Sequence, residues 1–232
     1  MYILLMLEYI IIIPYRDREQ HLEYFLGKIV PLLQKHIPNG KVVIVEQDWN
    51  NKFFNRGCLL NIGFKEYENK TNYYICQDID ICPNETCIKE IYLNKNFDVI
   101  RGFVGHNISL GGVCRFTHKS IHEVNGFPNY IWGWGIEDRA LFYRYNIMKQ
   151  KISPNYTCKY KQHFTKLPHK HNGSNTHPNN PNISNNENNI FKSNDYKKQV
   201  EHIMSSGLNN LQYTILERKD INDYVELIKV SI

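Results

Sequence analysis

A run of four isoleucines, residues 10–13, most constrains how this chain can fold. An uninterrupted apolar, β-branched run is typical of a strand buried on both faces, and sheets of such strands are parallel and covered by helices. Apolar residues at helical spacing follow at 21–36, then a short apolar run at 41–47, a second predicted helix at 55–67 and a strand at 73–80. This order predicts an α/β fold with one mostly parallel sheet flanked by helices, in which ligands bind at the carboxyl ends of the strands.

The second half of the chain is less regular. We expect a helix over residues 137–150 and two paired strands near the carboxyl end. Residues 172–189 are almost entirely Asn, Ser, Pro, Gly and His, which cannot form a core, and they predict a mobile polar loop. A chain of 232 residues is within what one core can serve, so we expect a single domain over residues 1–232.

The first residues, MYILLMLEYIIIIP, have the composition of a targeting segment, but Glu8 and Pro14 interrupt the apolar run. The stretch before Glu8 is too short to span a bilayer and has no basic flank. We therefore expect a strand there, no membrane segment, and a soluble, cytoplasmic protein. A formal net charge of +5 without a long basic run does not favour nucleic acid as a partner.

Asp78 and Asp80 lie at the end of the strand predicted at 73–80. Alternation along a strand would point one carboxylate toward the fold and leave the other free at the rim. A carboxylate there suits a divalent cation that, together with substrate phosphates, neutralises a leaving diphosphate. A solvated strand end is the competing interpretation, because the pattern Asp-x-Asp is common.

His169 and His171 are a second candidate, because residues two apart in an extended segment point the same way. Imidazole and carboxylate ligands together favour manganese or another transition metal over magnesium. A polar loop that happens to contain histidine explains the pair equally well.

The third candidate is the stretch from Trp132 to Asp138, in which Trp132 and Trp134 alternate with glycines before Glu137 and Asp138. Indole rings can stack on a sugar, and glycines let a backbone approach or swing. An ordinary acidic helix start would explain the carboxylates but not the repeated tryptophan-glycine pattern.

Arg16, Arg18 and Arg56 are natural partners for phosphate and uracil groups, although each taken alone could be a surface arginine. In chain order, these pieces resemble the β-1,4-galactosyltransferase family, glycosyltransferase family 7. The matching strings span about residues 10–216 and are IIIPYRDREQHLEYF, FFNRGCLLNIGF, DIDICP, GGV, NGFPNYIWGWGIED and SSGLNNLQYTIL.

The resemblance implies a GT-A-type nucleotide-sugar transferase fold, with a single Rossmann-like mixed sheet flanked by helices. It also implies a Mn²⁺-dependent, inverting transfer of galactose from UDP-galactose to a sugar hydroxyl of a carbohydrate or glycoconjugate acceptor. It implies Asp138 as the catalytic base and Glu137 as a contact to the acceptor hydroxyl. The implied metal ligands are Asp80, His169 and His171, the histidines resembling the xylose-directed branch of the family. The implied donor-binding residues are Pro14, Arg16, Arg18, Phe54, Arg56, Asp78, Gly112 and Trp134, the last on a mobile loop.

Two residues depart from the family pattern. Arg139 follows Glu137-Asp138 where the family usually has another aspartate, which contacts the acceptor in some members. The resemblance therefore leaves the identity of the acceptor open. Ser109 stands where a tyrosine commonly limits room at the donor sugar, so UDP-N-acetylgalactosamine or UDP-glucose is an alternative donor. A glycan- or nucleotide-binding module without turnover and a metal-dependent hydrolase are alternatives of other classes. The family's usual membrane anchor and stem are not found in the sequence, which favours a soluble enzyme.

Overall fold

The computed structural model describes residues 7–133, 135–168 and 180–232. Its strands are β1 (Leu7–Tyr15), β2 (Gly40–Gln47), β3 (Thr71–Gln77), β4 (Ile81–Pro83), β5 (Val99–Phe103), β6 (Val113–Thr117), β7 (Ile152–Asn155), β8 (Phe164–Lys166), β9 (Thr214–Asn222) and β10 (Val225–Ser231). Its α-helices are α1 (Glu19–Tyr24), α2 (Val30–His36), α3 (Arg56–Glu66), α4 (Glu85–Cys87), α5 (His118–Glu123), α6 (Glu137–Ile147), α7 (Thr157–Tyr160), α8 (Asn180–Phe191) and α9 (Tyr196–Ser205). A π-helical turn, Phe25–Ile29, joins α1 to α2, and another, Ile88–Tyr92, continues α4.

Eight of these strands form one sheet in the order β7-β5-β6-β3-β1-β2-β10-β9. The centre is parallel, because β1 pairs with β2 and β3, and β10 pairs with β2, all in parallel. Strands β6 and β9 run antiparallel to their neighbours. The predicted α/β fold with a single mixed sheet flanked by helices is confirmed, and the parallel pairs lie mainly at its centre. The short strands β4 and β8 pair antiparallel in a separate two-stranded sheet.

Strand β1 divides the hydrophobic core in two. Ile11 and Ile13 face the layer that contains Phe25 from the first π-helical turn, whereas Ile10 and Ile12 face the layer that contains Leu59 from α3. All four isoleucines are fully buried. Alternation along the strand sends successive side chains to opposite faces, so the isoleucine run is the signature of a central strand covered on both sides.

Two sequence predictions are corrected by the structure. Strand β3 ends at Gln77, and Asp78 and Asp80 lie in a turn in which Ile81 N–H donates to Asp78 O at 3.0 Å. Strand alternation therefore does not set their directions, and Asp80, only 9% exposed, is not free at a rim. The polar loop predicted over residues 172–189 is wrong for 180–189, which belong to α8; residues 172–179 lie outside the described ranges.

The predicted carboxyl-terminal strand pair is confirmed as the antiparallel hairpin β9–β10. The predicted helix at 137–150 is confirmed as α6, which ends at Ile147. Within the ranges given above, no helix is both long and apolar enough to cross a bilayer.

Candidate active site

The candidate site lies at the edge of the sheet where β1, β2 and β3 end. The three strands are parallel, so their carboxyl ends meet at one edge, which is where open α/β sheets bind ligands. The start of α6 reaches the same edge, because Leu110 N–H donates to Asp138 O at 3.1 Å. The fold therefore brings Asp78, which follows β3, close to Glu137 and Asp138.

Arg56 joins these groups. Its Nε donates to Asp78 Oδ1 at 2.7 Å, and its Nη1 donates to Asp138 Oδ1 at 2.8 Å. Glu137 Oε1 lies 4.0 Å from the same Nη1. Arg56 opens α3, whose N-cap Asn55 accepts a hydrogen bond from Cys58 N–H through its side chain. One guanidinium at a helix start thus links the carboxylates after β3 and at the start of α6.

Burial sets the electrostatics of this cluster. It raises the pKa of Asp78 to about 6 against the lowering effect of Arg56. Burial also raises the pKa of Asp138, although Arg56 lowers it in part. For Glu137, burial and then the charge of Asp138 raise the pKa. Burial alone would lower the pKa of Arg56, but the three carboxylates hold it well above its ordinary value, so the guanidinium stays protonated.

Two buried polar atoms of the cluster have no hydrogen-bond partner within the part of the chain that the structure describes. They are Arg56 Nη2 and Glu137 Oε2. A buried donor or acceptor left unpaired costs about 1–3 kcal/mol. A bound ligand that supplied an acceptor to Arg56 and a donor to Glu137 would remove this cost, so both atoms favour a binding site here.

Gly111 and Gly112, a glycine pair just before β6, fix the positions of Asp78 and Asp138. A Cβ on Gly111 would lie 1.8 Å from Asp138 Oδ2, so only glycine lets the Asp138 carboxylate reach its position. Gly112 has a φ of +68°, and its carbonyl accepts from Asp78 N–H at 3.0 Å. The pair therefore holds Asp78 and Asp138 against the same piece of backbone.

The segment before α6 has an unusual backbone. Ile136, the N-cap of α6, has a φ of +82°, and Gly133 and Gly135 also have positive φ. A β-branched residue in this region is strained by about 1–3 kcal/mol, and such strain clusters at functional sites. Gly133 N–H donates to Phe54 O at 2.8 Å, which ties this segment to the loop before Arg56. Trp134 lies outside the described residues.

Arg16 and Phe54 come together beside the end of β1. The Arg16 guanidinium lies 5.4 Å from the Phe54 ring centroid and 5.3 Å from that of Trp49, and its Nη1 donates to Lys52 O at 2.9 Å. Pro14 is buried within β1, and Arg18 is the N-cap of α1. The structure thus groups Arg16 with Phe54, whereas Pro14 and Arg18 lie in the adjoining strand and helix start.

The turn that contains Asp80 is tied to the chain segment that precedes the two candidate histidines. Leu167 N–H donates to Asp80 O at 2.8 Å, directly after the pairing of β4 with β8. His169 and His171 lie outside the described residues. Among the residues that are described, no three His, Cys, Asp or Glu side chains are grouped to hold a metal. A carboxylate and two imidazoles are nevertheless a ligand set suited to manganese.

Comparison with known proteins identifies the family. A family model for the N-terminal region of glycosyl transferase group 7 matches residues 6–92, and one for the N-terminal domain of galactosyltransferase matches residues 96–170. The chain belongs to glycosyltransferase family 7, the β-1,4-galactosyltransferase family.

Curated relatives match a large part of this family 7 chain. β-1,4-Galactosyltransferase 4 of Cricetulus griseus is 36% identical over 154 residues, covering 62% of this chain and 44% of the relative. β-1,4-Galactosyltransferase 1 of Bos taurus is 30% identical over 219 residues, covering 89% of this chain and 50% of the relative. The chain thus spans about half the length of the curated relatives it matches.

A solved structure confirms the predicted GT-A-type fold. A variant of Drosophila β1,4-galactosyltransferase 7, in complex with manganese, UDP-Gal and xylobiose, matches with a TM-score of 0.77 at 20% sequence identity. The match covers 97% of this chain and 94% of the other.

Two residues beside the candidate site of this family 7 chain are not predicted from the sequence. Gly111 stands in the string GGV, but its close approach to Asp138 depends on a contact across the fold. Trp49 was not considered, although it lies against Arg16 and is 73% exposed. An aromatic residue in the polar string QDWNNK was the available signal.

Proposed function

We propose that the chain is a Mn²⁺-dependent, inverting glycosyltransferase that transfers galactose from UDP-galactose to a hydroxyl of a sugar acceptor. The observation that carries the proposal is the Arg56 centre, which joins Asp78 after β3 to Asp138 at the start of α6. Membership of family 7 supports galactosyl transfer, since its curated relatives are β-1,4-galactosyltransferases. The similar Drosophila protein was crystallised with manganese and UDP-Gal, which supports the donor and the metal.

Asp138 is the catalytic base of this proposal. Its Oδ1 accepts from Arg56 and its Oδ2 lies against the glycine pair, so the carboxylate is held in one orientation. The ionised carboxylate takes the proton of the attacking hydroxyl as that oxygen bonds to the donor sugar and the bond to UDP breaks. A base within hydrogen-bond reach contributes about 10²–10⁴-fold to such a step.

Glu137 is the acceptor contact. Its buried Oε2, unpaired within the described structure, can accept a hydrogen bond from an acceptor hydroxyl. Because its pKa is raised by burial, the carboxyl can also bind in its protonated form and donate. Either form orients the acceptor beside Asp138.

Arg56, Arg16 and Phe54 are the first donor contacts of the proposal. Arg56 Nη2 is available to a phosphate oxygen, and Arg16 and Phe54 form a cationic and aromatic wall beside β1. The remaining donor-binding residues of the proposal are Pro14, Arg18, Asp78, Gly112 and Trp134.

Asp80, His169 and His171 would hold the Mn²⁺. The tie between Leu167 and Asp80 supports this set, because it brings the chain that leads to His169 to the Asp80 turn. The metal supplies positive charge that neutralises the departing diphosphate.

Release of UDP tests the function. We would measure it from UDP-galactose, UDP-N-acetylgalactosamine and UDP-glucose, each with xylose, N-acetylglucosamine or glucose, with Mn²⁺ present or chelated. We expect acceptor-stimulated, metal-dependent release that is fastest from UDP-galactose. UDP binding without release from any pair would instead support a non-catalytic module, and equal release without acceptor would support a hydrolase.

Two matched variants test the residue roles. Asp138→Asn should lower the transfer rate by about 10²-fold or more while UDP and Mn²⁺ binding persist, because the amide oxygen can still accept from Arg56 but cannot take the proton. Asp80→Asn should weaken both Mn²⁺ and donor binding. Calorimetric titration of UDP into each variant separates the two effects. Near-normal transfer by Asp138→Asn would contradict the base assignment.

A cytoplasmic location stays a prediction. All six cysteines are free thiols, five of them buried, as is common in reducing compartments. Fractionation of cells that express a tagged chain would test it.

A further inference from the structure

The loop between β2 and α3 carries an aromatic side chain that the core does not use. Trp49 is 73% exposed, the largest exposed fraction among the large apolar side chains of the described residues. Exposing an indole forgoes about 25 cal/mol for each Å² of apolar surface that burial would remove from water. An exposed tryptophan at a ligand-binding edge of a sheet is therefore a candidate for a ligand contact.

The loop that carries Trp49 is fixed at both ends. Gln47 anchors it, since its Nε2 donates to Phe53 O at 2.9 Å and its Oε1 accepts from Asn55 N–H at 2.8 Å. Lys52 Nζ donates to Ile232 O at 2.5 Å, and Asn50 Oδ1 accepts from Lys52 N–H at 3.2 Å. These bonds fix the loop backbone without burying the indole. The Trp49 ring is therefore held at the surface by an ordered loop.

Trp49 lies beside Arg16 and Phe54, two of the proposed donor-binding residues. The Arg16 guanidinium sits 5.3 Å from the Trp49 ring centroid and 5.4 Å from that of Phe54, so Arg16 bridges the two rings. The Arg16 side chain bonds Lys52 O, in the same loop. Two aromatic rings with a guanidinium between them form a surface on which a flat, heteroaromatic ring can stack.

We propose that Trp49 is a further donor-binding residue, a stacking platform for the uracil ring of the UDP-sugar. The proposal rests on the proposed function, because it takes the nucleotide to bind beside Arg16 and Phe54. Every base has a π-face, so stacking on an indole contributes affinity and little selectivity among bases. Selection of uracil over other bases then depends on polar groups around the ring. Trp49 contributes affinity for any nucleoside diphosphate.

Binding titrations with Mn²⁺ test the proposal, using UDP, CDP and inorganic pyrophosphate as ligands. Trp49→Ala should weaken UDP and CDP binding by the same factor, about tenfold, which is within the range for loss of one stacked base. Pyrophosphate has no base, so its affinity should not change. Trp49→Phe, which keeps a ring, should restore most of the affinity for UDP.

Tyr196→Ala is the matched control, because it removes another exposed aromatic ring, on α9, and should change none of the affinities. In transfer assays, Trp49→Ala should raise the KM for the UDP-sugar and leave kcat nearly unchanged. Unchanged UDP affinity in Trp49→Ala, or an equal loss of pyrophosphate affinity, would overturn the proposal. Failure of the wild-type chain to bind UDP at all would instead overturn the proposed function.

Discussion

At the residue scale, the candidate site depends on one arginine that serves two parts of the chain. Arg56 is 22 residues from Asp78 and 82 residues from Asp138, yet it bonds both. Removing one partner from a buried ionic centre leaves an uncompensated charge, so the members of this cluster depend on each other.

Gly111→Ala tests the close approach at Asp138. The added Cβ would overlap Asp138 Oδ2, so we expect the carboxylate to shift, transfer to fall by about 10²-fold and stability to drop by about 1–3 kcal/mol. The checks are the transfer rate and the free energy of unfolding in urea. Gly105→Ala is the control, because a Cβ there meets nothing within 4 Å. Full activity in Gly111→Ala would show that Asp138 is not held as described.

Glu137→Gln tests the raised pKa of this buried carboxyl. The folded chain keeps the Glu137 proton at pH values where the unfolded chain has released it, because burial raises the folded-state pKa. The free energy of unfolding should therefore fall as the pH rises above the ordinary Glu pKa, about 4.3, and through the raised value. Glu137→Gln removes this contribution and should flatten the fall in urea unfolding measured across this pH range. Glu201→Gln, at an exposed position of α9, should leave the slope unchanged, and a similar slope in wild type and Glu137→Gln would refute the assignment.

At the element scale, the sequence predicts those strands and helices that are encoded by a local apolar pattern. The isoleucine run shows a strand buried on both faces, and the apolar spacing over 21–36 shows the helix that covers one face. Helix α8 was missed because its sequence, NPNISNNENNIF, is rich in poor helix formers. It is stabilised by tertiary contacts instead: Phe191 packs against Tyr143 of α6, and Glu187 Oε1 lies 2.7 Å from His202 Nε2 of α9.

The same distinction applies to the residues of the candidate site, of which some are predicted by local motifs and others depend on long-range contacts. Asp138 and Asp80 are predicted from short motifs, because their neighbours in sequence carry the signal, and their roles stay predictions. The bridge made by Arg56, the close approach of Gly111 and the position of Trp49 depend on contacts between distant segments, which no local pattern records. The directions of Asp78 and Asp80 were mispredicted because β3 ends at Gln77, before both aspartates.

Gly63→Ala tests the packing of α3 on β1. Alanine usually stabilises a helix by about 1 kcal/mol relative to glycine, but here its Cβ would lie 2.5 Å from Ile12 Cγ2. We expect a loss of about 1–3 kcal/mol in urea unfolding. Adding Ile12→Ala should make the double variant more stable than the sum of the single effects, by about 1 kcal/mol or more. Gly27→Ala, where a Cβ meets nothing within 4 Å, is the control; additive effects of Gly63→Ala and Ile12→Ala would contradict this packing.

At the scale of the whole molecule, the sheet is completed from both ends of the chain. Strand β10 pairs in parallel with β2, and Val225, Ile228 and Val230 are fully buried. Tyr224 OH donates to Ile37 O at 2.9 Å, and Tyr67 OH donates to Glu226 Oε2 at 2.6 Å, which links the hairpin to the segments after α2 and α3. Strand β10 is therefore part of the core, whereas β9 pairs with it and is exposed along its whole length.

Removal of the hairpin tests this role. We expect a chain that ends at residue 213 to lose cooperative unfolding and to aggregate, because β2 would become an open, apolar edge strand. Circular dichroism during heating and the soluble yield would show it. Tyr224→Phe, which removes only one buried hydrogen bond, should cost about 0.5–1.5 kcal/mol and keep the cooperative transition. A shortened chain that unfolds as cooperatively as wild type would contradict this role.

The position of β10 has a consequence for the biogenesis of the protein. The ribosome makes β10 after all the other strands that the structure describes, yet its place is inside the sheet, between β2 and β9. Until β10 is made, the nascent chain exposes the backbone of β2 and the apolar side chains around it. Other nascent chains can pair with this open strand and aggregate. Slower synthesis at low temperature, or extra chaperone, should therefore increase the yield of native protein more than any change to the surface of the finished molecule.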